Sequence, residues 1–239
     1  MPGPAEPPRI AGPGRRWLRA WLDFLLPPRC AGCRRRGVWL CDACRAALEP
    51  PRPPLCPRCS AAVGAPGPCP TCRTYPPAFD TARAAYRYAG PLPPAIRRFK
   101  YGGERALGEL LGELLAEAAT GLAPAVDLVV PVPLHPARRR ERGYNQSELL
   151  ARAVAARLAR PLSLALARQR PTPPQVGRGA AERRWNVAGA FAWQGEPLTG
   201  RRVLLIDDVC TTGATFDACA RALRPHGPAG VEALALARD

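Results

Sequence analysis

The chain has little of several residue types that proteins usually rely on. Its 239 residues include one lysine, one methionine and two histidines, and aromatic residues make up 6% of the chain. No run of about eighteen apolar residues occurs, so the sequence predicts no membrane span. The apolar residues among residues 1–14 are too scattered for the apolar core of a secretory signal, and we therefore expect a cytoplasmic protein.

Basic residues are abundant, and all but one of them are arginine. The formal net charge is +16, from 35 Lys and Arg residues against 19 Asp and Glu residues. This balance favours a nucleic acid or a nucleotide as partner. The chain is also rich in Ala, Pro and Gly, and GC-rich coding produces the same skew towards Arg without a functional reason. The sequence leaves both interpretations open.

Residues 1–26 are a basic N-terminal segment. Trp17, Leu18, Trp21 and Leu22 recur at helical spacing, with arginines between them, and Pro27 ends the pattern. The pattern predicts a short helix. Such a helix can pack on the domain that follows, or it can lie on a membrane surface.

Eight cysteines follow in four Cys-x-x-Cys pairs within residues 27–75. The pairs are Cys30 and Cys33, Cys41 and Cys44, Cys56 and Cys59, and Cys69 and Cys72. This spacing lets two thiolates of one turn reach one metal ion, and two such turns complete a tetrahedral zinc site. The segment is rich in Pro and Gly and too short to bury a sufficient apolar core, so we predict a double zinc ribbon holding one or two structural zinc ions.

Two alternatives accompany the zinc interpretation. A disulfide framework needs an oxidising compartment, for which the sequence carries no export signal, so zinc is favoured. Sequential pairing puts the first two pairs on one zinc and the last two pairs on another, whereas crossed pairing of the four motifs stays open. Cys210 and Cys219 lie outside this spacing and are predicted to fill a loop and a helix core rather than to form a redox pair.

A strand, a loop and a helix follow one another around residues 203–223. Four apolar residues, Val203 to Ile206, predict a strand buried on both faces of a parallel sheet, and Phe216, Cys219 and Leu223 then recur at helical spacing. Loop amides and a helix N-terminus at the end of such a strand form an anion site. We predict that this site binds a sugar phosphate through Asp207, Asp208, Thr211, Thr212, Gly213, Ala214 and Thr215.

A second strand with an arginine-rich continuation is predicted further upstream. Residues 127–132 form the strand, and an arginine-rich loop leads to Asn145, which caps a helix beginning at Gln146. Parallel strands end at the same edge of a sheet, so this loop can face the phosphate site. We expect a diphosphate or a nucleic acid to contact Lys100, His135, Arg138, Arg139, Arg142 and Arg184. The alternative for Lys100 is that it is retained by chance. The alternative for His135 is a structural role in the loop.

The strand-Asp-Asp-x-x-Thr-Thr-Gly-x-Thr run resembles the 5-phosphoribosyl 1-diphosphate signature of type I phosphoribosyltransferases. That resemblance implies that Asp207 and Asp208 hold the ribose hydroxyls and that residues 211–215 hold the 5′-phosphate. The order of motifs along residues 27–239 also resembles the ComF family of competence-associated proteins. Four motifs carry it after the cysteine pairs: Phe-Lys-Tyr-Gly, Pro-Val-Pro-Leu-His-Pro with Arg-Gly-Tyr-Asn-Gln, Arg184-x-Asn186-Val187 with Phe191, and the Asp-Asp signature.

The expected fold is α/β, a type I phosphoribosyltransferase-like parallel sheet over residues 83–239 with an N-terminal double zinc ribbon. The resemblance implies binding of phosphoribosyl diphosphate or a nucleotide, with a role in handling single-stranded DNA during uptake beside competence or DNA-processing proteins. A working transferase of nucleotide metabolism, in which Mg²⁺ binds the leaving diphosphate, is the alternative. It needs a nucleobase pocket, for which Tyr144, Trp185 and Trp193 are candidates. Residues 175–181 are a candidate lid.

Overall fold

The computed structural model describes residues 27–170 and 189–239. Residues 1–26 and 171–188 lie outside that range. Several predictions fall on them: the N-terminal helix, the candidate lid of residues 175–181, and the roles of Arg184, Trp185, Asn186 and Val187. Within the described residues, no helix is long and apolar enough to cross a bilayer.

The N-terminal part folds around its cysteines. Each half has one isolated antiparallel bridge, Arg29 with Arg36 and Leu55 with Ala62. Each half also has one short helix, α1 (Asp42–Ala46) and α2 (Pro70–Thr74). Most of the buried positions here are cysteines, so this part has little apolar core of its own.

The C-terminal part alternates strands and helices. Strand β1 (Thr81–Arg87) is followed by α3 (Leu92–Tyr101), α4 (Leu107–Ala119), a 3-10 turn (Thr120–Ala125) and β2 (Leu128–Pro131). Helices α5 (Pro136–Arg142) and α6 (Gln146–Leu158) come next. Strands β3 (Leu166–Arg168) and β4 (Phe191–Trp193) form a separate antiparallel pair. The chain ends with β5 (Arg202–Cys210), α7 (Ala214–Leu223), a 3-10 turn (Arg224–His226) and β6 (Gly230–Arg238).

Strands β1, β2, β5 and β6 form one parallel sheet in the order β1-β6-β5-β2. β5 is central and buried, and its side chains alternate between the two faces. Val203 and Leu205 pack on the side of α7, whereas Leu204 and Ile206 pack on the side of α4 and α6. This confirms the predicted parallel α/β fold and the buried strand at its centre.

The two halves of the ribbon pack on different faces of the sheet. The second four cysteines share a core with Phe79 and with apolar residues of β5 and α7. From the first half, Ala31 belongs to the opposite core, and the guanidinium of Arg98 donates to the carbonyl of Arg29 at 2.8 Å. The second half therefore lies on the same side of the sheet as the helix that follows the threonines of residues 211–215.

Two predicted boundaries differ from the structure. Strand β5 continues through Asp207 and Asp208 to Cys210, because the equally long β6 pairs with it to the end; Cys210 is therefore a buried strand residue and not a loop residue. The predicted arginine-rich loop is helix α5. Pro136 at its first position, the His135 cap and Gly143 at φ +78° together favour a helix there.

Candidate functional site

Two clusters of four cysteines lie in the ribbon, paired in sequential order. The first cluster is Cys30, Cys33, Cys41 and Cys44, and the second cluster is Cys56, Cys59, Cys69 and Cys72; within each, all sulfur atoms lie within 4.8 Å of one another. Measured S–S distances are 3.7 Å for Cys30 with Cys41, 3.6 Å for Cys33 with Cys41 and 3.7 Å for Cys59 with Cys69. A tetrahedron with Zn–S bonds of about 2.3 Å has S–S edges of about 3.8 Å. Both clusters therefore fit a structural zinc ion, and crossed pairing is excluded.

Backbone amides prepare the first cysteine of each cluster for metal. The amide of Cys41 donates to Cys30 Sγ at 3.4 Å, and the amide of Cys69 donates to Cys56 Sγ at 3.3 Å. Burial by itself raises the pKa of both thiols, but hydrogen bonds from several backbone amides, led by Cys33 for Cys30 and by Cys69 for Cys56, outweigh it and bring each pKa to about 6. A lowered pKa favours the thiolate, the form that binds zinc.

A cavity of about 720 Å³ opens where β2 and β5 end. It is lined by residues from the ends of these strands and of α3, from α5, from the start of α6 and from the threonine segment, which we define as residues 211–215. The predicted juxtaposition of the two strand ends is therefore present. Four basic side chains (Lys100, Arg138, Arg142 and Arg168) and four acidic ones (Glu141, Asp207, Asp208 and Asp239) line this site cavity.

Asp207 is held by a chain of hydrogen bonds that begins at β2. Asn145 Nδ2 donates to the carbonyl of Val132 at 3.1 Å, while Asn145 Oδ1 accepts from the amide of Ser147 at 3.2 Å and so caps α6. Ser147 Oγ donates to Asp207 Oδ1 at 2.8 Å. Among the described residues, the buried polar side chains are Asn145, Gln146, Ser147 and Asp208, and all four lie here. The predicted Asn145 cap thus also positions the Asp pair.

The two carboxyl groups differ in their partners. Burial, followed by repulsion from Asp208, raises the pKa of Asp207 to about 7. Asp208 is paired instead: Lys100 Nζ lies 2.7 Å from Asp208 Oδ1. Burial disfavours the ammonium of Lys100, but Asp208 outweighs burial and raises the Lys100 pKa. The site therefore holds a buried ion pair beside a carboxyl group whose pKa is raised.

The threonine segment forms the turn from β5 into α7. Gly213 has φ +77° and stands directly before the first residue of α7, a position that strains any residue with a side chain. Thr212 Oγ1 accepts from the amide of Ala214 at 3.3 Å. All five residues of the segment line the site cavity, so the N-terminus of α7 lies at the cavity.

The predicted cations divide into two groups. Lys100, Arg138 and Arg142 line the site cavity, whereas His135 and Arg139 do not. His135 Nδ1 instead accepts from the amide of Ala137 at 3.3 Å and caps α5. Arg139 pairs with Glu148 at 3.2 Å on the surface. The helical form of residues 136–142 explains this division, since consecutive helical side chains point in different directions.

Two of the candidate base-binding aromatics are structural. Tyr144 is buried, and its hydroxyl donates to the carbonyl of Phe99. Trp193 is buried in the β3–β4 pair, and its Nε1 donates to the carbonyl of Glu196 at 2.8 Å. Three other aromatic residues line the site cavity, Tyr88, Tyr101 and Phe216. Phe216 is buried and Tyr88 is half-buried, whereas Tyr101 is 72% exposed.

Sequence reasoning missed Ser147, Arg168, Tyr101 and Gln146 as site residues. Arg168 lies on β3, and burial, followed by repulsion from Arg138, lowers its pKa, so two guanidinium groups face one part of the cavity. No local pattern could have placed β3 there. The positions of Tyr101 and Gln146, each next to a predicted site residue or cap, were the available signal.

Two family models match the chain. The first, a double zinc ribbon domain, matches residues 21–73, and the second, a phosphoribosyl transferase domain, matches residues 145–239. Together these models cover the ribbon with both clusters, and the part of the sheet that carries the Asp pair and the threonine segment.

Three curated proteins are similar over most of the chain. The DNA utilization protein YhgH of Escherichia coli K12 is 33% identical over 89% of this chain and 98% of its own length. Competence protein F of Haemophilus influenzae is 33% identical over 71% of this chain and 78% of its own. Competence protein ComFC of Bacillus subtilis is 28% identical over 80% of each chain.

Proposed function

We propose that this chain, which belongs to the ComF/YhgH family, binds phosphoribosyl diphosphate or a nucleotide in the site cavity. The chain joins a double zinc ribbon to a phosphoribosyltransferase domain. We further propose that this binding serves the handling of single-stranded DNA during its uptake or utilisation. One observation carries the proposal: the threonine segment, the Asp pair and three of the predicted cations line a single cavity.

The phosphate would lie on the threonine segment. Backbone amides at the start of α7, the threonine hydroxyls and the helix dipole favour an anion there, and Gly213 at φ +77° lets the backbone approach it closely. Arg138 and Arg168, whose charges repel each other, gain from an anion placed between them. A diphosphate supplies that charge.

The sugar would lie on the Asp pair. Vicinal hydroxyl groups donate hydrogen bonds, which carboxylate oxygens accept. Asp207 and Asp208 are adjacent near the end of β5, just before the proposed phosphate site. Asp207→Asn together with Asp208→Asn keeps the shape and removes the anionic acceptors. Affinity should then fall by about 1.5–3 kcal/mol for each charged hydrogen bond lost.

The DNA part of the proposal rests on the relatives. Their printed names concern competence and DNA utilisation, and this chain covers most of their length. The net charge of +16 supports a polyanionic partner.

Calorimetric titration with ribose 5-phosphate and with phosphoribosyl diphosphate, with and without Mg²⁺, tests the proposal. The intact protein should bind both ligands. Gly213→Ala should weaken both by tenfold or more, because it strains the phosphate loop at φ +77°. Gly200→Ala is the matched control: its φ is +74°, nothing lies within 4 Å of the added carbon, and it does not line the cavity. Absence of binding to the intact protein, or equal weakening in both variants, would refute the proposal.

The same preparation tests the transferase alternative. Release of pyrophosphate from phosphoribosyl diphosphate in the presence of a nucleobase and Mg²⁺ would assign an enzymatic activity. Binding without release would leave the protein a nucleotide-responsive partner in DNA handling.

A further inference from the structure

Tyr101 stands at the mouth of the site cavity with its ring open to solvent. It is the last residue of α3 and is 72% exposed, whereas the neighbouring Phe99 is fully buried in the core. Both facts follow from helical geometry, because the buried face of α3 is Leu92, Ala95, Ile96 and Phe99 and leaves Tyr101 on the opposite side. The exposed ring therefore contributes little to the core, and packing does not explain its position at the cavity.

The ring has one contact of its own, and the residue before it in the chain is anchored. Its chain neighbour Lys100 is fixed to Asp208 by the 2.7 Å ion pair, which ties the end of α3 to the Asp pair. On the other side, the guanidinium carbon of Arg142 lies 4.7 Å from the centre of the Tyr101 ring, a cation–π contact. An exposed aromatic ring with a fixed orientation is a platform on which a planar group can stack.

A hydrogen-bond donor without a partner lies next to this platform. Gln146 is 1% exposed, and its Nε2 makes no hydrogen bond to any residue that the structure describes. Its Oε1 accepts from Arg142 Nη1 at 3.2 Å, which fixes the amide so that Nε2 is the donor left over. Leaving a buried donor unpaired is unfavourable, so a ligand atom that pairs with it gains affinity. Gln146 also lines the site cavity, so its side-chain amide lies at the cavity wall.

We propose that Tyr101, Arg142 and Gln146 form a subsite for a nucleobase, with the base stacked on Tyr101 and one of its acceptor atoms bound by Gln146 Nε2. The inference rests on the proposed function, since the sugar and phosphate of the same ligand occupy the Asp pair and the threonine segment. The ligand class is thus a nucleoside 5′-phosphate. All of these residues line one cavity of about 720 Å³, which is within the usual range for small-molecule sites of roughly 300–1,000 Å³.

The same chemistry can come from two sources, a free nucleotide or the 5′-phosphorylated end of a DNA strand. The shared features are a base, a sugar and a 5′-phosphate. The two sources differ at the 3′ oxygen, which is a free hydroxyl in the mononucleotide and carries the next phosphodiester in the strand.

Binding of two ligands that differ only by the base tests the subsite. The intact protein should bind adenosine 5′-monophosphate more tightly than ribose 5-phosphate. Tyr101→Ala should lower the affinity for the nucleotide roughly 5- to 150-fold, the range observed for loss of one stacked base. The affinity for ribose 5-phosphate should change by less than about twofold. Tyr101→Phe should keep most of the affinity, because the ring and not the hydroxyl stacks.

A matched control is Tyr75→Ala, which removes another exposed tyrosine, 65% exposed, that does not line the cavity. Gln146→Leu should weaken the nucleotide and not ribose 5-phosphate. Equal effects of Tyr101→Ala on both ligands, or no effect on the nucleotide, would overturn the subsite while leaving the sugar-phosphate site intact. If the intact protein binds neither ligand, the subsite and the proposed function both fail.

Competition distinguishes the two sources. If a 5′-phosphorylated deoxyadenosine tetramer displaces adenosine 5′-monophosphate, and if Tyr101→Ala lowers the affinity for the tetramer, the subsite binds the end of a DNA strand. If the tetramer does not compete and the mononucleotide binds, the subsite serves free nucleotides.

Discussion

Lys100 Nζ lies 2.7 Å from Asp208 Oδ1, so the chain's single lysine neutralises the second carboxylate of the Asp pair. The two residues belong to α3 and β5, elements far apart in sequence. Their side chains are 22% and 8% exposed, and solvent screens such a pair only weakly. The pair therefore ties the helix that carries Tyr101 to the strand that carries the Asp pair.

Breaking this pair should be costly for the unliganded protein. Lys100→Met leaves Asp208 as a buried carboxylate without its cation, and the free energy of unfolding should fall by about 3 kcal/mol. Lys100→Met combined with Asp208→Asn should recover much of that loss, because no charge is then left unpaired. Urea unfolding measures both effects. Arg152→Ala removes a 57% exposed partner of Glu148 and should cost less than about 1 kcal/mol.

The pKa of Asp207 predicts how stability depends on pH. In the folded protein it is about 7, raised first by burial and then by Asp208, whereas the unfolded value is about 3.9. The folded state therefore binds the proton more tightly, and this group favours folding at low pH. Its contribution is lost as the pH rises from about 4 through about 7.

Between pH 5.5 and pH 8 this titration should remove about 2 kcal/mol from the free energy of unfolding. Asp207→Asn cannot ionise and should flatten the dependence in that window. Unfolding at several pH values in the presence of excess zinc, which keeps the ribbon loaded, measures the slope. An unchanged slope in Asp207→Asn would assign the pH dependence to other groups.

Features of the fold and the site that depend on residues close together in the sequence could be predicted from the sequence. Features that depend on contacts between distant elements could not. Both zinc clusters follow from local spacing, because two cysteines of one turn must point the same way, although sequential and crossed pairing became distinguishable only in the structure. β5 was predictable because a short apolar run that is followed by a loop and a helical pattern is typical of a strand buried between two layers. Asn145 was predicted as a cap from its position before a helix, and it is one.

The interactions that were missed are those between distant elements. Nothing local to Lys100 indicates that its partner is Asp208. Residues 136–142 lack an apolar face, so periodicity could not reveal that they form α5. Tyr144 and Trp193 were candidates for base binding by residue type alone, whereas burial, a tertiary property, assigns them to the interior and leaves Tyr101 exposed.

Arg238 connects the second cluster to the site cavity, and this predicts unequal behaviour of the two zinc sites. Its guanidinium donates to Cys59 Sγ at 3.8 Å and to Cys210 Sγ at 3.1 Å, and Cys210 directly precedes the threonine segment. Loss of a group that supports a metal ligand typically lowers metal affinity by about 10- to 100-fold. Arg238→Gln should lower the affinity for one of the two zinc ions per chain by this factor. Competition with a chromophoric chelator measures the affinity.

The control for Arg238 is Arg45→Gln. Arg45 lies on α1 beside the first cluster, is 45% exposed and pairs with Glu117 rather than with a cysteine. The Arg45→Gln substitution should leave the affinities of both zinc sites unchanged. Because Arg238 also holds Cys210, its replacement should lower the affinity for ribose 5-phosphate as well. Equal zinc release from both variants would mean that Arg238 does not support the second cluster.

The last prediction separates a functional basic surface from an excess of arginine. Single-stranded DNA that follows the site cavity should be held by Arg138 and Arg142, which line it. Its affinity should then fall with salt at a slope of roughly −0.7 for each phosphate neutralised. Arg138→Ala with Arg142→Ala should flatten the slope by about the worth of two phosphates. Arg139 is unsuited to this test because it pairs with Glu148 outside the cavity.

Arg152→Ala with Arg221→Ala removes the same charge elsewhere. These side chains are 57% and 62% exposed, each pairs within its own helix, and neither lines the cavity. If this pair flattens the salt slope as much as the cavity pair does, DNA is attracted by net charge alone, and the arginine excess reflects composition. If only the cavity pair matters, a defined path for the strand passes the sugar-phosphate site, because a uniform field would not distinguish two pairs of equal charge.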